Sequence, residues 1–117
     1  MRTTLPALRA ALWSLYALDR TRRQLRRSGI GELRLPTPPR VPDEAIGGVR
    51  AVLRRRPASC LERALVLQRW HAAHGRPQDV VIGVARTDGA FLAHAWLDGQ
   101  PEEGAAFREL TRVAPSG

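Results

Sequence analysis

From Thr4 to about Ser28 the apolar residues Leu5, Leu8, Leu12, Leu15, Tyr16 and Leu25 recur at spacings of three and four, the period of an amphipathic helix with one buried stripe. Gly29 is placed to stop it. The segment from Ile30 to Pro42 holds Pro36, Pro38, Pro39 and Pro42 and predicts an extended strap, because proline and the residue before it resist helix. Asp43 is positioned to cap a short helix to about Arg55 that buries Ile46, Val49, Val52 and Leu53, against the weak propensity of Gly47 and Gly48.

Ser59 and Glu62 have the spacing of a capping box, in which hydroxyl and carboxylate each satisfy a free backbone N–H. Cys60 is then the first residue of a helix. Leu61, Ala64, Leu65, Val66, Leu67 and Trp70 make that helix apolar around most of its girth, so it should be central and buried, with Gly75 terminating it. After Pro77 the period changes to that of strands: Val80 to Arg86, a two-residue turn at Asp88-Gly89, and Phe91 to Leu97. A second Asp-Gly at 98 and 99 predicts a three-stranded antiparallel meander. Its third strand would begin near Gln100 and resume from Phe107 to Val113. The expected class is α+β in one domain, residues 1–117: a helix over 4–28, a strap over 30–42 and a core over 43–117.

Charge changes this picture in one respect. Residues 1–57 hold 13 arginines against 4 acids and residues 58–117 hold 6 against 7, so the net +8 sits in the first half. Five arginines from Arg20 to Arg27 surround Leu25: either a solvated helix end or a docking surface for an acidic partner, with Arg22, Arg23, Arg26 and Arg27 as its candidates. Nucleic acid is disfavoured as that partner, since few aromatics are available for stacking and no helix-turn-helix or zinc pattern occurs. No stretch has the roughly 20 apolar residues of a membrane span. The single cysteine gives no internal disulfide, which makes a cytoplasmic location the default. No metal site is expected, because Cys60 lies roughly 16 Å along a straight helix from His71, too far to share an ion with His71 and His74. No cofactor is expected either, there being no Gly-Lys-Ser/Thr phosphate loop.

A thiol in the first turn of a helix meets unpaired N–H groups and the positive end of the macrodipole, which favour thiolate. The same position suits a buried structural cysteine, and position alone does not decide. The two-residue turn at Asp88-Gly89 sets Gly83 opposite His94. A like turn at Asp98-Gly99 would set Glu103 opposite His94, close enough to orient the ring. Asp98 is the alternative acid, though four residues along a strand is roughly 13 Å. Cys60, His94 and Glu103 thus make a candidate nucleophile, base and acid. The Cys60 N–H, with Ser59 and Glu62 holding the helix tip, is a candidate oxyanion donor.

Ser-Cys-Leu-Glu-Arg-Ala-Leu at 59–65, Val-Val-Ile-Gly-Val at 80–84 and Ala-His-Ala-Trp-Leu at 93–97 resemble the leader peptidases of lasso-peptide biosynthesis, cysteine proteases of the transglutaminase-like superfamily. The resemblance spans residues 50–100. It implies a transglutaminase-like, papain-like core with Cys60 and His94 in a Cys-His-acid triad. The family's acid lies about a dozen residues after the histidine, where this chain has Ala106, so Glu103 or Asp98 would replace it. The resemblance further implies removal of a leader from a ribosomally made lasso precursor by a stand-alone peptidase. A separate recognition-element protein would present the leader, and an ATP-dependent macrolactam synthetase would take the trimmed core. A catalytically inactive binding module of the same fold is the alternative, and a basic nucleic-acid-binding domain a weaker one.

Overall fold

The computed structural model describes residues 4–99 and 107–115. Helix α1 runs Leu5–Ser28, with the Thr4 hydroxyl accepting from the Ala7 N–H at its start and Gly29 at φ 72° at its end. The buried face is not the leucine stripe. Ala10, Trp13, Ser14, Ala17, Leu18 and Thr21 point inward, whereas Leu5, Leu8, Leu12 and Tyr16 are exposed and Leu15 and Leu25 half-buried. The cause is the neighbour: helix α2, Ile46–Arg55, crosses so closely that a Cβ on Gly48 would lie 2.1 Å from the Ala7 carbonyl oxygen. Only a small-residue face permits that approach. Ser14 and Thr21 are tolerated inside because their hydroxyls donate to the Ala10 and Ala17 carbonyls, at 2.8 and 2.7 Å.

The proline strap is extended apart from one 3-10 turn at Ile30–Glu32. Helix side chains hold its carbonyls: Trp13 Nε1 donates to Pro36 O at 3.2 Å, and Gln24 both donates to and accepts from the Arg34 backbone at 2.6 Å. Asp43 does not cap α2. It begins a 3-10 turn, Asp43–Ala45, and its carboxylate accepts from Arg76 at 2.6 Å and from Trp70 Nε1 at 3.4 Å. The Arg76 bond, supported by its charge, holds the Asp43 carboxyl below its usual range.

Helix α3, Cys60–Ala73, is the central element, with Trp70 fully buried between Trp13 and the His74 ring. Burial alone makes such a side chain worth about 3 kcal/mol. Strands β1 (Val80–Thr87) and β2 (Ala90–Leu97) form the hairpin expected, with Asp88 and Gly89 both at positive φ. Strand β3, Arg108–Val113, departs from the meander: the order is β2-β1-β3, and β3 pairs antiparallel with the far edge of β1. Gln68 of α3 helps pin that arrangement, its Nε2 donating to Gln78 O at 2.9 Å and to Val113 O at 2.8 Å. Ala95, Leu97, Val80 and Ile82 meet Ala64 and Leu65, so the sheet packs on α3 in a cluster separate from the one around Trp70.

Candidate functional site

Cys60 occupies the first position of α3, half-buried and free of any disulfide. The capping box forms as its spacing predicts: the Glu62 N–H donates to Ser59 Oγ at 3.1 Å, and the Ser59 N–H donates to Glu62 Oε1 at 2.8 Å. Those two donors are thereby used. The Cys60 and Leu61 N–H groups have no acceptor among the described residues, and both lie at the positive end of the helix. Glu62 is itself tied to α1, accepting from Arg22 Nε at 3.2 Å.

His94 stands on β2 opposite Gly83. The vacancy at Gly83 is filled from two residues along: a Cβ there would meet the Trp96 ring at 2.8 Å and Arg108 O at 2.8 Å. The His94 ring stacks on Trp96 with centroids 5.9 Å apart and lies 5.0 Å from that of Phe107. Cys60 and His94 line one cleft of about 220 Å³ between α3 and β2, together with Arg50, Arg63, Leu67 and Trp96. Among the described residues no hydrogen bond joins thiol to imidazole, nor any carboxylate to the imidazole.

The described part of the expected third strand, β3, lies beside β1 and not beside β2. Glu103 itself lies outside the described residues. Asp98 follows an unbroken β2, which keeps it roughly 13 Å along the strand from His94. Its carboxylate accepts from Arg112 at 2.7 Å and from the Gly99 N–H at 3.1 Å. The Arg112 bond lowers the Asp98 carboxyl from its usual value. Glu109, which the sequence did not single out, sits across β1 from His94 in the same row and accepts twice from Arg112, at 2.7 and 2.9 Å. Two strand spacings, about 10 Å, separate its backbone from that of His94.

Of the docking arginines, Arg22 is committed to Glu62, and Arg23 pairs with Asp19 at 3.1 Å. Arg26 and Arg27 are exposed, with no ion pair among the described residues. The sequence reading also missed Arg50 and Arg63 in the cleft. Arg63 was findable, being one turn past Cys60 on the same helix. Arg50 was not, since it depends on how α2 crosses.

A thiol on a helix tip beside a histidine-bearing strand defines a class of α+β domains in which acyl groups can be transferred through sulfur. A family model described as the transglutaminase-like superfamily matches residues 2–113. The chain belongs to that superfamily, which includes cysteine peptidases. No curated protein and no solved structure matches it.

Proposed function

We propose that this chain is a cysteine peptidase that removes the leader from a lasso-peptide precursor presented by a separate recognition protein. The observation that carries the reading is the shared cleft, which holds Cys60 at its helix tip and His94 on the facing strand. The lasso assignment is supported by the three sequence motifs. In the reaction, the Cys60 thiolate attacks the carbonyl carbon at the leader–core junction, and the carbonyl electron pair becomes an oxyanion. The unspent N–H groups of Cys60 and Leu61 are its candidate donors. Collapse breaks the C–N bond as the imidazolium of His94 protonates the leaving amine, leaving a thioester on Cys60. Water, deprotonated by His94, then releases the leader carboxylate and restores the thiol. Glu103 is the residue carried here as the one that orients His94, with Asp98 as the alternative, which would have both to leave Arg112 and to cross roughly 13 Å of strand.

Incubation of the precursor with the recognition protein and this chain, read by intact mass, should give leader and core. Cys60→Ala should reduce the rate to less than about 1% with the fold intact, because alanine suits the first helical position. More than a few per cent remaining would reject the cysteine mechanism. The lack of a thiol–imidazole bond favours one rival, an inactive binding module. In that case Cys60 would react with iodoacetamide at pH 6 no faster than a free model thiol.

A further inference from the structure

The Cys60 cleft carries two arginines and, among the described residues, no acid. Arg63 is committed, its Nε donating to the Leu53 carbonyl at 3.1 Å. Arg50 is exposed on α2 and makes no ion pair or side-chain hydrogen bond among the described residues. Its place along the cleft follows from the helix. Cys60, Ala64 and Leu67 lie on one face of α3 and line the cleft, and seven residues at 1.5 Å cover roughly 10 Å. Arg50 belongs to the Leu67 end, since α2 runs back along α3: the Leu53 carbonyl meets Arg63, and Asp43, ahead of the helix, meets Trp70, which puts Arg50 between the two levels. An extended peptide covers roughly 10 Å in about three residues.

We infer that the cleft takes a peptide bearing a carboxylate about three residues from the scissile bond, and that Arg50 is the group that receives it. This rests on the peptidase reading for its register, with the carbonyl at Cys60 as the origin. The surroundings agree in sign: Arg54, Arg55 and Arg56 are exposed on the segment leading to Cys60, and the helix tip is itself positive. An anionic side chain is drawn to such a cleft and a cationic one turned away.

Epoxysuccinyl peptides, which alkylate cysteine and can be extended from either side of the reactive ring, hold the register fixed. Aspartate, asparagine or lysine would be placed one to four residues from the ring on each arm, and the rate of Cys60 adduct formation read by intact mass. Aspartate at the third position of one arm should react about fivefold faster than asparagine, the scale of one partly exposed ion pair. In Arg50→Glu the preference should reverse toward lysine at that position, and in Arg50→Gln it should vanish. Equal rates for aspartate and asparagine everywhere, or an unchanged aspartate preference in Arg50→Glu, would overturn the inference and leave the peptidase reading standing. Fluorescein-labelled forms of the same peptides, bound to Cys60→Ala and followed by anisotropy, give a readout independent of reactivity. Aspartate preference there, with a Cys60 that fails to react in the wild-type chain, would keep Arg50 as the receiving group and sink the peptidase.

Discussion

A methyl group at Gly83 would press on the Trp96 ring and on the Arg108 carbonyl, and Trp96 is the ring against which His94 stacks. Gly83→Ala should therefore cost about 1–3 kcal/mol, the usual scale of overpacking. It should also lower kcat more than it raises KM, by tilting the imidazole. Thermal melting and steady-state kinetics on the precursor check both, and a variant with wild-type kcat would show that His94 does not depend on Trp96 for its place. At this scale the sequence was legible wherever the information was local. Ser59, Cys60 and Glu62 lie within one helical turn, and a two-residue turn fixes Gly83 against His94. The acid was less legible than these, because naming Glu103 depends on which edge the third strand joins, and the part of it that is described joins β1.

Helix α1 shows how an element can be found and its orientation misread. Thr4 and Gly29 mark its ends by backbone chemistry that needs no partner. Leucine content then suggests the wrong inward face, because the inward face is decided by the close crossing at Gly48 and not by hydrophobicity alone. The outcome is a line of exposed apolar side chains, Leu5, Leu8, Leu12 and Tyr16, on the helix that also carries Arg26 and Arg27. Leu8→Gln with Leu12→Gln should leave the melting temperature within a few degrees of wild type, since both side chains are already solvated. A larger fall would mean that the stripe is packed. If the recognition protein docks on α1, the same pair should weaken binding at all salt concentrations, whereas Arg26→Gln with Arg27→Gln should weaken it only at low salt. Titration calorimetry at two ionic strengths separates the contributions. Arg22 is a poor choice for that test, because removing it also loosens the Glu62 cap.

Over the whole molecule, two apolar clusters meet at Leu67, one among the helices and one between α3 and the sheet. The sheet's third strand is held at its rim by Arg112, which donates to Asp98 and Glu109 and reaches Asp79 at 3.5 Å. Bonding to Arg112 lowers the Asp98 and Glu109 carboxyls from their usual values of 3.8 and 4.5. A lowered carboxyl stabilises the fold fully above its unfolded value and loses that contribution as pH falls through the folded one. Arg112→Gln should therefore melt at lower temperature than wild type at pH 7, and the gap should close as pH drops below about 4. A gap that stays constant from pH 7 to 3 would show that these ion pairs contribute nothing.

The strand order also dictates a sequence of assembly. The β1–β2 hairpin needs only its own two-residue turn, so His94 and Trp96 can be placed side by side before β3 docks, with Phe107 and the Arg108 carbonyl completing their surroundings afterwards. The β1–β3 seam closes a much longer loop and must come later, because contacts distant along the chain bear a larger closure entropy. The outer edge of β1 is bare until then. A nascent chain of this protein is most exposed to mispairing in the interval between finishing its histidine strand and acquiring Arg112.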